Sequence, residues 1–139
     1  MLMPILLALL MLGVNLALLS AGMAGFSRWL AWREHHGIHT HSFVSRMLLM
    51  YVVLLMLLLA TLVQVANWAA IYQGLDEFED FTTAFYFSAV SFATLGYGDL
   101  VLSKPWRLLG PIEAINGSLM LGLFASALYE TLQKMRGAR

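Results

Sequence analysis

Thr94-Leu95-Gly96-Tyr97-Gly98-Asp99 is the run of this chain whose residue types and order best suit chemistry. In an ordinary strand, successive backbone carbonyls point to opposite sides. Glycine adopts left-handed backbone angles at little cost, so Gly96 and Gly98 allow the carbonyls of this run to turn to one side. Oxygens stacked in that way replace the water around a dehydrated cation such as potassium. The Thr94 hydroxyl can add an inner ring of oxygens, and Asp99 marks the mouth. Leu95 and Tyr97 carry side chains that can point away from the axis and wedge the run against its surroundings. The same letters also spell a tight turn between any two elements. The cation reading therefore requires a particular setting: a short helix before the run, a spanning helix on either side, and the outer face of a membrane.

Composition and charge placement meet those conditions. Apolar residues make up 60% of the 139 positions and charged residues only 12%, with a mean hydropathy of +0.77. That balance is too apolar for a soluble domain of this size. About 20 apolar residues cross the hydrocarbon core. Met1 to Ser27 and Met47 to Leu75 are free of charge, and Leu108 to about Tyr129 carries only Glu113. Three spanning helices are expected. Between the second and third, Phe81 to Phe92 reads as a short aromatic helix that runs directly into the 94–99 loop, giving a re-entrant segment with Asp80 and Thr82 as caps at its start. With no cysteine, disulfides and thiolate metal sites are excluded. Zero net charge and dispersed basic residues offer no nucleic-acid surface.

Arg28, Arg33 and Arg46 fall between the first two spans, and Lys134, Arg136 and Arg139 follow the third. Positive residues accumulate on the cytoplasmic side, which predicts an external amino terminus, a cytoplasmic carboxyl terminus and a loop mouth facing out. Asp76, Glu77, Glu79, Asp80 and Asp99 then share the outer side with Lys104 and Arg107. The expected organisation is an N-terminal spanning helix at 1–27, a cytoplasmic interfacial loop at 28–46, a pore unit at 47–132 and a short cytoplasmic tail at 133–139. The first segment also has a reading as a signal peptide cleaved near Ala21 or Ala24, against which stand its long apolar run and its lack of a basic start. Gly13, Asn15, Ser20, Gly22 and Gly25 fit either helix packing or a peripheral helix in lipid.

The hexapeptide resembles the selectivity filter of tetrameric potassium channels, departing from the commonest spelling only at Leu95, where valine or isoleucine is usual. That departure concerns the packing behind the filter and hence inactivation. The resemblance extends over roughly Met47 to Leu132 and is closest to the bacterial two-helix type, with one extra helix ahead of it. It implies an all-α membrane protein, three transmembrane helices plus a pore helix and filter, assembled as a four-fold homotetramer in a lipid bilayer. It further implies K+ bound at Thr94, Leu95, Gly96 and Tyr97, with Gly98 completing the filter. Tyr86 and Phe87 take the place of the aromatic pair that braces the filter from behind, with Asp99, Val90 and Glu113 as further support. Gly117 falls near the family's hinge glycine, though close helix packing explains it equally. Gly122, Ala125, Ser126 and Ala127 are small enough for a constriction near the cytoplasmic entrance. No cofactor is implied beyond the permeant K+ ions.

Glu113 is an ionisable group in an apolar segment and needs a partner or water. The filter's rear or Arg107 is expected to supply one, as a structural contact or a gating element. The acids at 76–80 read as a solvated turret that raises the local cation concentration. His35, His36, His39 and His41 cluster in the 28–46 loop beside Trp29 and Trp32. Four histidines there permit a divalent-metal site or a proton sensor, and equally a polar interfacial loop. No span carries an arginine ladder, and the tail is too short for a nucleotide- or calcium-binding domain, so neither voltage sensing of the usual kind nor a regulatory domain is expected. A less selective cation channel, a non-conducting subunit of a partner channel and an uptake transporter of related design are the competing functions. An enzyme is not expected, since no nucleophile or cofactor motif accompanies the histidines. The compact plan favours a bacterial inner membrane.

Overall fold

The computed structural model describes residues 2–35 and 43–137, which form four helices and, among the described residues, no strand. They are α1 (Leu2–His35), α2 (Phe43–Gly74), α3 (Phe81–Phe92) and α4 (Leu109–Gly137). Three are long and apolar enough to cross a membrane, over Leu2–Trp29, Phe43–Gly74 and Leu109–Gln133. At 12 residues, or roughly 18 Å at 1.5 Å per residue, α3 is too short to do so. The three expected spans and the short helix are therefore all present.

Their ends differ from the expected ones for a common reason. Charge marks where hydrocarbon stops, but a helix satisfies its own backbone and continues into water or headgroups without penalty. Thus α1 runs through Arg28 and Trp32 to His35, and α2 begins at Phe43 rather than Met47. The loop expected at 28–46 is helical over 28–35 and 43–46. Likewise α4 continues to Gly137, past the expected boundary at 132.

The core lies where α2, α3 and α4 meet. Trp68, Tyr72, Ala84, Phe92, Leu109 and Met120 are at most 2% exposed. Tyr72 packs edge-on against Phe87, with ring centroids 5.1 Å apart at 84°, and stacks on Trp68 at 5.9 Å. α1 joins through one seam, Ala8, Met11, Asn15, Leu19 and Phe26, spaced at three, four or seven residues. Its first half faces Ile112, Ile115 and Leu119 of α4, and its second half faces Val53, Met56 and Leu57 of α2. Of the small and polar positions expected to pack, only Asn15 is buried; Gly13, Ser20, Gly22 and Gly25 are exposed.

The end of α2 and the start of α3 are closed by different devices. At the end of α2 the Glu77 N–H donates to the Tyr72 carbonyl at 3.0 Å and the Asp76 N–H to that of Gln73 at 3.0 Å, with Asp76 left-handed at φ +55. This is a Schellman closure, and it uses Asp76 rather than the nearby Gly74. α3 starts on Asp80, whose Oδ1 accepts the Thr83 N–H at 2.8 Å and whose Oδ2 accepts the Thr83 hydroxyl at 2.6 Å. Asp80 is the N-cap, as expected, and its principal partner is Thr83.

α4 passes the end of α3 at Gly117. A Cβ built there would overlap the Phe92 carbonyl oxygen and lie 2.9 Å from its carbon. Close approach is therefore the requirement this structure places on that glycine. Gly117→Ala is expected to destabilise the protein by about 1–3 kcal/mol, the usual cost of overpacking, read as a lower thermal midpoint in detergent. The hydrogen bonds from the Thr83 hydroxyl and N–H hold the Asp80 carboxyl below its ordinary value of 3.8. Because the folded value is the lower one, the cap contributes stability above the ordinary value and loses it as pH falls through the depressed one. Protection of the amides in the first turn of α3, taken relative to their intrinsic exchange rates, should fall on acidification below 3.8, and Asp80→Asn should remove that fall.

Candidate functional site

The 94–99 loop begins as the closure of α3. The Leu95 N–H donates to the Val90 carbonyl at 2.9 Å and the Thr94 N–H to that of Ser91 at 2.9 Å. Thr94 is the left-handed residue of this second Schellman closure, with φ +60. Gly96 and Gly98 follow at φ +55 and +75, while Leu95 and Tyr97 between them are not left-handed. The expected glycine conformations are thus present, and the alternation starts one step earlier than the glycines alone suggest. Nothing in the residue type announces Thr94, because a β-branched residue rarely takes positive φ. The helix closure imposes it.

Within one chain this loop is open. Thr94 to Asp99 are all exposed, with Leu95 at 55% and Tyr97 at 65%. The side chains expected to wedge the loop have no such seat in their own chain. Tyr86 donates its hydroxyl to Asp99 Oδ2 at 2.7 Å, which links α3 to the end of the 94–99 loop. Phe87 and Val90 are buried on α3, and Phe87 lies against Tyr72, Phe78 and the backbone of Gly110. Between the loop and the start of α4 is an open cavity of about 370 Å³, lined by Phe87, Ser91, Thr94, Arg107 and Pro111 among others.

Glu113 is fully buried and reaches neither the loop nor Arg107. Its Oε2 is 2.6 Å from the Tyr72 hydroxyl and its Oε1 is 2.5 Å from Ser88 Oγ. The expected contact with the rear of the loop or with Arg107 is not made; Glu113 turns to α3 and α2 instead. Tyr72 has no signal in the sequence beyond its place on the Trp68 face of α2.

Three of the four turret acids have structural work. Asp76 closes α2, Asp80 caps α3, and Glu77 accepts the Ser103 N–H at 2.7 Å and the Ser103 hydroxyl at 2.5 Å. That last pair ties the segment after the loop to the α2–α3 turn. Only Glu79 conforms to the solvated reading, being exposed and free of hydrogen bonds. Of the histidines, His35 is exposed at the end of α1, and His36, His39 and His41 lie outside the described residues. Among the described residues no group of three or more His, Cys, Asp or Glu is placed to hold a metal.

A family model described as ion channel matches residues 47–134, more than half of the chain. The chain belongs to the ion channel family. Those residues run from α2 through α3 and the 94–99 loop to α4, and they coincide with the stretch that resembles the two-helix potassium-channel pore. The ion channel protein accordingly crosses the membrane several times and has only helices among its described elements, with α3 the short apolar helix between the second and third spans. No curated protein and no solved structure matches the chain.

In the channel the Glu77–Ser103 pair leaves the segment after the loop with one charged tether. Glu77→Ala should cost about 1–2 kcal/mol, the scale of hydrogen bonds to a charged acceptor. Limited proteolysis between Asp99 and Trp106 should quicken in this variant, while cleavage elsewhere stays at the wild-type rate.

Proposed function

We propose that four copies of this chain form a potassium-selective channel in which the carbonyls of Thr94, Leu95, Gly96 and Tyr97 bind the dehydrated ion. The observation that carries this reading is the alternation of left-handed φ at 94, 96 and 98. Residues that alternate between left- and right-handed turns undo each other's rotation, so the segment stays extended while its carbonyls face one way. A cation then meets successive oxygens in place of water. One chain supplies one side of such a site, and rotation about a four-fold axis closes it.

The exposure of Leu95, Tyr97 and Val101 supports assembly, since a single chain leaves these apolar side chains uncovered around the loop. Tyr86 and Asp99 hold the mouth. The carbonyl end of α3 bears the partial negative charge of a helix terminus and favours a cation awaiting dehydration. The distribution of arginine and lysine supports an outward mouth, an external amino terminus and a cytoplasmic carboxyl terminus. In this arrangement α4 lines the inner pathway, with Gly117 packed against the filter's base.

Purified protein in planar bilayers, with potassium on one side and sodium on the other, is expected to reverse near the potassium equilibrium potential. A reversal near zero with measurable current would establish a nonselective cation channel instead. A left-handed position costs an L-residue about 1–2 kcal/mol. Gly96→Ala and Gly98→Ala should therefore abolish or broaden selectivity while leaving a folded, membrane-inserted protein. Unchanged selectivity in both would refute the filter assignment.

A further inference from the structure

Ser88 lies where three helices cross. Its Oγ is 2.9 Å from the Val65 carbonyl oxygen of α2 and 2.5 Å from Glu113 Oε1 of α4, and Glu113 Oε2 is 2.6 Å from the Tyr72 hydroxyl of α2. Ser88, Glu113 and Tyr72 are each 0% exposed. The three oxygen–oxygen contacts require three hydrogens. A carbonyl oxygen brings none, and serine and tyrosine hydroxyls bring one each. The third has one source left, the carboxyl itself. An ionised Glu113 would leave one of the three pairs as two buried lone pairs facing each other, a repulsive contact in an apolar interior.

We infer that Glu113 is a proton-bearing positioning residue: as a neutral acid it donates to Ser88, accepts from Tyr72, and so fixes the pore helix between the outer and inner helices. Ser88 in turn donates to the Val65 carbonyl, and the network closes with every hydroxyl and carboxyl hydrogen placed. Ser88 is one turn before the closure at Val90 and Ser91 from which Thr94 and the loop begin. Holding Ser88 therefore sets the rotation and depth of the element that seats the loop. Few other groups can disturb this balance. Tyr72 is the titratable group facing Glu113 from α2. On α3 the titratable side chain, Tyr86, is bonded to Asp99. α1 carries no charge before Arg28, and Arg107, ahead of Glu113 on the α4 side, lines the cavity behind the loop.

The inference rests on the filter reading for its consequence but not for the proton itself, and two measurements separate them. The first is the infrared spectrum of the reconstituted full-length protein in D2O near neutral pH, compared with that of Glu113→Gln. A carboxylic-acid C=O band present in the wild type and lost in the variant is expected. If the difference instead shows only carboxylate, the neutral lock is overturned.

The second is the reversal potential. A glutamine amide has an oxygen to accept from Tyr72 and, of its two N–H groups, one to give to Ser88, so Glu113→Gln should keep the wild-type permeability ratio. Glu113→Ala should lower that ratio by about tenfold, the scale of one lost buried hydrogen bond. Should Glu113→Ala fail to assemble, Ser88→Ala applies the same test by removing the acceptor, with the same loss expected. Failure of Glu113→Gln to assemble, or a loss equal to that of alanine, would refute a neutral role. Full selectivity in Glu113→Ala or Ser88→Ala would refute positioning. If the wild type itself does not select potassium, the filter reading falls, and the infrared result still decides the proton.

Discussion

A helix that stops inside a membrane must hand its last carbonyls to some donor, because hydrocarbon offers none. In this channel α3 meets that requirement by folding the chain back on itself, so that the N–H groups of Thr94 and Leu95 satisfy Ser91 and Val90. The closure forces Thr94 into left-handed geometry and sends the backbone away from the helix axis already alternating in hand. Termination of the helix and the start of the 94–99 loop are one event. The loop's shape follows from a backbone debt incurred upstream.

Everything around α3 serves to hold it in register. Asp80 fixes its first turn, Ser88 ties its middle to α2 and α4, and the missing side chain of Gly117 lets α4 press against its last carbonyl. Outside the bundle, Tyr86–Asp99 and Glu77–Ser103 anchor the two ends of the segment that follows. These contacts join residues up to 26 positions apart and use polar groups, in a chain whose composition is dominated by apolar ones. Apolar packing in a lipid setting gains little over contact with lipid. Directional hydrogen bonds and close backbone approach therefore carry the specificity.

The first helix illustrates a different balance. Its seam of Ala8, Met11, Asn15, Leu19 and Phe26 bridges α4 and α2, while most of its surface stays apolar and exposed. It braces the pore unit from the side rather than contributing to the loop. In an assembly, that outward surface faces lipid or a neighbouring copy, and either setting suits its composition.

Much of this architecture is legible in the amino-acid order. Uninterrupted apolar runs separated by charge determine three spans, because a backbone in hydrocarbon has few options, and Gly-Tyr-Gly after a short aromatic helix determines where positive φ falls. Helix ends are less legible, since the end of an apolar run is not the end of a helix, as Phe43 and His35 show. Only the tertiary structure decided that Thr94 shares the left-handed geometry, that Gly117 serves close approach, that three of the four turret acids are caps and tethers, and that Glu113 turns to Ser88 and Tyr72 instead of Arg107. Each of these depends on which groups meet across long sequence separations, and a side chain's role there is set by the neighbour that three-dimensional packing brings to it, not by its own chemistry.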